Sequence, residues 1–319
     1  MSKSGFLIRA CLLLCSFISN VAQGDEVLKV GVRADATSMS YKLEEGILDD
    51  RGGVAGPLRK KGYSGYIIYL CDQVLSEMKR EYDFEVEVIE LTASKRFEML
   101  GASSIDILCD PTTATKNRLA GLISSSPIFL SGLSYASRPT SKWTECASLL
   151  GFIRGTTSGM ATSGISTLLK AGQFPRHRVS LQKFLEQDKS WVDAFDCQND
   201  QRDLVVGYET HLLAAKDFCA DKIHFYIGDH EIVTKTLQSV DGCEFEISDR
   251  TFTDERYVIL GKQRETDNIN FLVGLFFEKL SVMTYFEPSV LDEAFTHTFP
   301  MSKKSEKLRT LFWSLRGKE

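Results

Sequence analysis

The 319-residue sequence lacks the patterns that mark several large classes of protein. Beyond its N-terminus, no run approaches the roughly 20 apolar residues that a membrane span needs. We find no internal repeat and no low-complexity segment. The formal net charge is -5, and nucleic-acid binding, which needs a basic face, is not expected. What is left is an ordinary globular composition, 43% hydrophobic and 25% charged, with enough residues for two domains.

Patterns for metal and covalent chemistry are also missing. The cysteines include no CxxC pair and no zinc spacing. His211, His224 and His230 are scattered without a carboxylate pattern, and no nucleophile stands beside a general base. The sequence therefore predicts no metal, no cofactor and no catalytic residue.

The N-terminus has the pattern of a secretory signal over residues 1–24. Lys3 and Arg9 precede a short apolar segment, and Ala22-Gln23-Gly24 is a small-x-small cleavage site. We therefore predict export to the periplasm, without a lipid anchor. Removing the two basic residues changes the net charge to -5 - 2 = -7. Six cysteines remain, and an even count in an exported chain favours disulfides, although the sequence alone leaves their connectivity open.

The first half of the chain alternates strand and helix patterns. VLKVGVRA, EVEVIEL and IDILC have strand patterns, and an amphipathic helix begins near Tyr66. This order predicts parallel pairing with helical crossovers, and ligands in such sheets bind beyond the carboxyl ends of the strands. Arg33 and the segment DPTTATKNR both follow strands, so we expect them at one mouth of the sheet.

The segment DPTTATKNR has the composition of a small-anion site. Its threonine hydroxyls and backbone N–H groups can donate hydrogen bonds, and the Arg118 guanidinium matches a carboxylate. A helix capped by Thr92 or Ser94 is predicted to precede it. The alternative is a capped turn before a surface helix, with Arg118 in solvent.

Two further signals lie in the second half. GTTSGM follows a short apolar strand and is predicted to open a helix, whose N-terminus would form a second anion cradle. The alternative is a plain helix cap. The strand IHFYIG is followed by Asp229, which could instead cap the next helix.

These segments together resemble the family 3 extracellular solute-binding proteins, the amino-acid-capturing components of bacterial ABC importers. The resemblance is carried by KGYSGY, TASKRFEML, IDILCDPTTATKNR, SPIF, GTTS and IGD, and it is closest to the glutamate/aspartate-binding branch. It implies an α/β fold of the periplasmic binding protein type 2. Two lobes, each a mainly parallel sheet flanked by helices, would enclose a ligand cleft. We place lobe 1 at residues 25–135 plus 253–319 and lobe 2 at residues 136–252.

The resemblance also implies a role for each site residue. The ligand's α-carboxylate would be bound by one loop, with further donors from the second lobe, and an aspartate would bind the α-ammonium. The acidic branch adds two arginines for the side-chain carboxylate and a histidine. In this sequence these ligand-binding residues are Pro111, Thr113 and Arg118; Thr156 and Thr157; Asp229; Arg33 and Arg96; and His211.

The sequence departs from the acidic branch at two carboxylates. Asp110 stands where a small residue is expected, and Asp35 lies close to Arg33. If they pair with Arg96 and Arg33, the pocket is internally neutral and a neutral polar amino acid fits instead. His211 has the alternative of a packed or solvated histidine.

With the lobes placed in this way, Cys71 and Cys109 share lobe 1 and are expected to pair. Lobe 2 holds the other four cysteines, for which we predict Cys146–Cys197 and Cys219–Cys243.

The predicted function is capture of an acidic amino acid by a monomeric binding protein that delivers it to a membrane permease. Two alternatives remain open. One is a solitary sensor subunit, and the other is a dehydratase-like enzyme on the same fold, with His211 or Glu209 as its acid.

Overall fold

The structure is a computed structural model that describes residues 26–44, 55–139, 148–159, 164–186, 204–264, 267–286 and 289–317. The predicted signal at residues 1–24 lies outside this range, as do Cys146 and Cys197. Cleavage, export and the pairing of those two cysteines therefore stay predictions.

The described chain alternates strands and helices over most of its length. The strands are β1 (Val27–Arg33), β2 (Asp35–Ala36), β3 (Ser40–Lys42), β4 (Tyr63–Ser64), β5 (Glu85–Leu91), β6 (Ile107–Thr113), β7 (Ile123–Ser124), β8 (Phe129–Ser131), β9 (Leu133–Ser137), β10 (Ser148–Ile153), β11 (Val205–Tyr208), β12 (Ile223–Asp229), β13 (Glu246–Ile247) and β14 (Glu255–Gly261). The helices are α1 (Tyr66–Glu81), α2 (Arg96–Gly101), α3 (Lys116–Leu119), α4 (Ile165–Lys170), α5 (Arg178–Glu186), α6 (His211–Cys219), α7 (His230–Gln238), α8 (Asp267–Tyr285), α9 (Val290–Thr298) and α10 (Glu306–Leu315).

The first sheet has the strand order β5-β1-β6-β14-β7, with β8 paired to β14. Strand β1 is parallel to both β5 and β6, as the alternating pattern predicts, whereas β14 returns antiparallel to β6. Helices α1, α8 and α9 pack together beside this sheet around a core that includes Ile67, Phe276 and Leu291. Each fully buried apolar side chain of this kind stabilises the fold by about 1.5–3 kcal/mol.

The second sheet has the order β11-β10-β12-β9-β13. Strand β10 is parallel to β11 and β12, and β9 and β13 run antiparallel. One apolar cluster includes Phe152 and Leu168, and another includes Phe218 and Val233 from α6 and α7. The two sheets thus have largely separate cores, which meet where Ile232 of α7 joins the first and Ala93 joins the second.

Two chain crossings join the sheets. Strand β8 pairs in the first sheet, and β9, which starts at Leu133, pairs in the second. The return crossing lies between β13 and β14. The lobe limits of residues 25–135 plus 253–319 and 136–252 remain a proposal.

Three local predictions differ from the structure. Helix α2 begins at Arg96 after Lys95, without a side-chain cap, and the hydroxyls of Thr92 and Ser94 lie 3.1 Å from each other instead. Strand β6 continues through the predicted loop to Thr113. The described part of GTTSGM forms a 3-10 turn at Thr157–Gly159, and the next α-helix among the described residues begins at Ile165.

Two predicted disulfides are confirmed. Cys71–Cys109 joins α1 to β6, and Cys219–Cys243 joins the end of α6 to the segment before β13. The first bond therefore anchors the strand that carries Pro111 and Thr113.

Within the described ranges, no single helix is long and apolar enough to cross a membrane. The pair Asn268–Tyr285 and Val290–Thr298 passes the same test of length and composition only jointly, with a bend of 83° between its members.

Candidate functional site: a cleft between the two sheets

All nine predicted ligand-binding residues line one cavity between the two sheets. In this closed arrangement the cavity has an accessible volume of only about 10 Å³, which is room for about one water molecule, so the cleft has to open to admit a larger ligand. It lies at the carboxyl ends of β1, β6, β10 and β12, where the topology rule places ligands. Its lining is Arg33, Arg96, Pro111, Thr113, Arg118, Thr156, Thr157, Ser158, His211, Asp229 and Ile232. Ser158 belongs to the predicted GTTSGM anion cradle but was not among the nine residues, whereas Ile232, three residues after Asp229, was missed and lacks a signal of its own.

Arg118 lies on the short helix α3, whose first residues are fixed by a hydrogen bond from the Arg118 N–H to the Thr115 hydroxyl at 3.4 Å. Its guanidinium donates to the carbonyls of Thr113 at 3.3 Å and Gly155 at 3.2 Å. Burial lowers the pKa of Arg118, which nevertheless keeps its charge. Among the described residues, no carboxylate forms an ion pair with it, so its remaining N–H groups can serve an anion in the cavity.

Phe97 supports two of the arginines. The guanidinium carbon of Arg118 lies 4.8 Å from the centre of its ring, and that of Arg96 lies 4.7 Å from it. Stacking of this kind holds a guanidinium in place without using its donors. Phe97 was missed as a site residue, because the sequence marks it only as part of the segment TASKRFEML.

Arg33 and Arg96 are already paired with protein carboxylates. Arg33 Nη2 lies 2.8 Å from Asp35 Oδ1, and Arg96 Nη1 lies 2.9 Å from Asp110 Oδ2. Both arginines and Asp110 are almost fully buried. Burial alone lowers the pKa of an arginine. For Arg33 the carboxylates of Asp35 and Asp110 outweigh this effect and raise the pKa, whereas the pKa of Arg96 falls to about 10. These pairs correspond to the alternative left open by the sequence, in which Asp35 and Asp110 neutralise the two arginines.

The turn that follows β10 offers a ligand fewer side-chain hydrogen-bond donors than the sequence predicts. The Thr156 hydroxyl donates to the Ile153 carbonyl at 2.6 Å and also lies 2.6 Å from the Ser158 hydroxyl. The Thr157 hydroxyl donates to Glu255 at 3.4 Å. The first role of these hydroxyls is therefore to fix the turn, which projects the Gly155 carbonyl toward the first sheet.

Asp229 lies at the end of β12, directly before α7. Its side chain makes no helix-cap hydrogen bond and instead accepts one from the Tyr257 hydroxyl at 2.5 Å. Burial, followed by the nearby Glu255 carboxylate, raises the pKa of Asp229 to about 7. Glu255 is itself buried and was missed by the sequence analysis. A cation beside these two carboxylates would relieve their repulsion.

His211 starts α6 and contacts residues from two different sheets. Its backbone N–H donates at 3.1 Å to Asp35, which lies on β2 in a small third sheet formed by β2, β3 and β4, and its Nδ1 lies 2.5 Å from the hydroxyl of Tyr226 on β12. Burial lowers the pKa of His211 to about 3, so the ring is neutral. Nε2 is buried without a protein hydrogen-bond partner, which leaves one ring nitrogen for a group in the cavity.

The two sheets close tightly at Gly155. Its φ of +71° is a left-handed conformation that glycine adopts without strain. A Cβ atom there would lie 2.5 Å from the Ala93 carbonyl oxygen and 2.7 Å from Ser94 Cα. The structure thus holds the cleft in a closed arrangement that requires glycine at this position.

Comparison with known proteins identifies the fold. No protein-family profile matches the sequence, and no curated protein sequence matches it. Among solved structures, an ancestral arginine-binding protein bound to glutamine has a TM-score of 0.58 and 15% identity, covering 86% of this chain and 97% of its own. The fold is that of a two-lobed periplasmic binding protein.

Two further structures agree with this fold. The arginine-, lysine- and histidine-binding protein ArtJ from Geobacillus stearothermophilus has a TM-score of 0.59 and 14% identity, over 89% of this chain and 100% of its own. A substrate-binding protein of an ABC uptake transporter from Streptococcus pneumoniae, with bound histidine, has a TM-score of 0.56 and 15% identity, over 86% and 92%.

Proposed function

We propose that this protein binds a free α-amino acid in the cleft and delivers it to the permease of an ABC importer. The observation that carries the proposal is the convergence of Arg118 and Asp229, from different sheets, on one closed cavity. Arg118 offers unpaired donors to an α-carboxylate, and Asp229 beside Glu255 favours an α-ammonium. The comparison structures support this function because they are amino-acid-binding proteins.

We further propose that the ligand's side chain is polar and uncharged. Arg33 is neutralised by Asp35, and Arg96 by Asp110. A side-chain carboxylate would have to displace one of these buried pairs, and breaking such a pair is costly. The earlier expectation of an acidic ligand therefore has less support than the neutral alternative. His211 Nε2 would then hydrogen-bond to the side-chain amide or hydroxyl.

A thermal-shift screen against the protein amino acids tests the binding function. A ligand that binds the folded state raises the unfolding temperature as its concentration passes the dissociation constant. We expect at least one neutral polar amino acid to do so, and Arg118→Ala to abolish the shift. Lys116→Ala, on the exposed side of the same helix, is the matched control and should leave it unchanged.

Losing one partner of a desolvated ion pair costs on the order of 3–5 kcal/mol, so calorimetry on Arg118→Ala should find no measurable affinity. Normal affinity in folded Arg118→Ala would refute the site.

Incubation with the ligand and chromatography of the products tests the enzyme alternative, in which the amino acid would be consumed. Exchange of labelled ligand into vesicles that hold the permease distinguishes transport from a sensor role.

A further inference from the structure

The C-terminal part of the first lobe carries charge opposite to the rest of the chain. Residues 300–319 contain six lysines and arginines and two glutamates, a net charge of +4 in a chain whose total is -5. The other residues therefore carry -5 - 4 = -9. A local excess of this sign attracts an anionic partner that the remaining surface repels.

Helix α10 presents these charges around an exposed tryptophan. Leu308 and Phe312 bury one face of the helix against the core. Arg309, Trp313 and Arg316 follow at the i, i+4 and i+7 spacing of the other face, and Trp313 is 68% exposed. The indole, on the same helix face as two arginines, therefore lies mostly in solvent rather than in the core.

A groove beside this face adds further cations. Lys303, Arg309, Trp313 and Arg316 line it together with Asp292, its acidic residue. Asp292 is already paired with Lys304 at 2.6 Å and also with Arg316. Among the described residues, Lys303 forms no ion pair, and the Arg309 contact to Glu306 is a long 3.7 Å. The groove therefore keeps a net positive charge.

Apolar side chains extend the same surface. The Gly317 N–H donates to the Tyr285 carbonyl at 3.1 Å, which brings the end of α8 beside the end of α10. Phe286 follows, with its ring 5.0 Å from that of Tyr285. The exposed members are Tyr285 at 48%, Phe286 at 61%, Trp313 at 68% and Met301 at 96%.

We propose that this surface, formed by residues 285–286 and 300–317, binds the face of an anionic lipid bilayer. Aromatic rings that project into solvent beside flexible cations match the interfacial zone of a membrane, where the rings enter the headgroup region and the cations meet lipid phosphates. An acidic protein would need a complementary shape, whereas a bilayer needs only this mixture of charge and exposed rings. The surface is separate from the cleft, and the inference does not depend on the proposed ligand.

Trp313 can report its own contact with lipid. The chain has three tryptophans, and Trp143→Phe with Trp191→Phe leaves Trp313 as the sole one. Vesicles of equal parts phosphatidylglycerol and phosphatidylcholine are then added to the full chain. We expect the emission to shift to the blue and to become protected from acrylamide, with loss of both effects at high salt. Because only Trp313 emits, binding through the apolar N-terminus would leave the signal unshifted.

Charge reversal provides the matched comparison. Lys303→Glu with Arg309→Glu should weaken vesicle binding by about tenfold or more, because each cation near an anionic surface contributes to attraction. Lys170→Glu with Lys216→Glu makes the same charge change on exposed helical positions of the second lobe and should leave binding intact. No shift with anionic vesicles, or an equal shift with pure phosphatidylcholine, would overturn the proposal. A shift with soluble polyglutamate but not with vesicles would replace the bilayer with an acidic polypeptide.

Discussion

The Gly155 carbonyl of one lobe accepts a hydrogen bond from the Arg118 guanidinium of the other at 3.2 Å. Arg96 donates to the same oxygen at 3.3 Å. A single backbone carbonyl therefore accepts hydrogen bonds from two of the cleft's three arginines when the lobes are closed. A ligand carboxylate would use the remaining N–H groups of Arg118, so closure and binding depend on the same side chain.

Our first prediction concerns closure. Gly155→Ala should prevent the lobes from meeting, because its Cβ would lie 2.5 Å from the Ala93 carbonyl oxygen. Small-angle scattering should show no compaction on ligand addition, and affinity should fall by about tenfold or more. Gly172→Ala is the control, since its φ of +77° imposes similar strain with nothing within 4 Å of the added atom. Equal behaviour of the two variants would mean that backbone strain, not the lobe contact, causes the loss.

The second prediction concerns the selectivity of the cleft. Asp110→Asn removes the carboxylate that pairs with Arg96 at 2.9 Å and lies 3.8 Å from Arg33. The freed guanidinium groups then favour an anionic ligand, so glutamate or aspartate should gain at least about tenfold relative to glutamine or asparagine. Calorimetry with each pair of amino acids measures this ratio.

Asp106→Asn is the control for that change, because this buried aspartate accepts a hydrogen bond from the Lys29 N–H at 2.8 Å, outside the cavity lining. A wild-type protein that already prefers glutamate or aspartate would contradict the neutral-ligand proposal and restore the acidic one.

The third prediction concerns pH. The pKa of Asp229 is about 7 in the folded protein and 3.8 as an unperturbed group. Between these values the folded state holds a proton that the unfolded state has lost, so the stability of the unliganded protein should fall as pH rises from about 4 to about 7. Above pH 7 this contribution is constant. Asp229→Asn should flatten the dependence and raise the unfolding temperature at pH 8, whereas the exposed Asp241→Asn should do neither.

The same carboxylate controls binding in the opposite direction. An ammonium group needs ionised Asp229, so ligand affinity should rise with pH and level off above about 7. Below that pH the slope should approach about tenfold per unit. Titration calorimetry in buffers of different ionisation enthalpy should detect proton release on binding near pH 6. Affinity that stays flat from pH 5 to pH 8 would remove Asp229 from the ammonium site.

The fourth prediction concerns the disulfide Cys71–Cys109. Replacing both cysteines by alanine should lower the free energy of unfolding by about 2–4 kcal/mol, because the bond closes a 38-residue separation in the unfolded chain. Denaturant titration measures the change. The Cys219–Cys243 bond closes a shorter separation of 24 residues, so replacing these two cysteines by alanine should lower the free energy of unfolding by slightly less. The first pair also anchors β6, so hydrogen exchange near Pro111 should increase only in that variant.

The sequence predicts the architecture well because its main signals are local. Period-2 strands such as Val27–Arg33 and the amphipathic helix Tyr66–Glu81 form where the pattern places them. Helix starts were less reliable, since a hydroxyl residue such as Thr92 or Thr156 can satisfy a neighbouring group instead of a helix N-terminus.

The electrostatics of the site could not be read from the sequence in the same way. The pairing of Asp110 with Arg96 depends on the end of β6 facing α2, which no local pattern specifies. Glu255 lies 26 positions after Asp229 in the chain, and only the return of β14 to the first sheet brings the two carboxylates together. The raised pKa of Asp229 is thus a property of the topology.

That return has a consequence for synthesis of the chain. Strand β6 lies between β1 and β14 in the first sheet. Along the chain, however, all the strands of the second sheet come between β6 and β14. Before residues 255–261 are available, β6 has an open edge, whereas the second sheet can assemble from one continuous stretch. The first sheet is completed only by β14, and its core only by the helices α8, α9 and α10 that follow. A chain that ends before residue 255 would present a complete second sheet and a first sheet with an exposed edge, the type of species that chaperones bind.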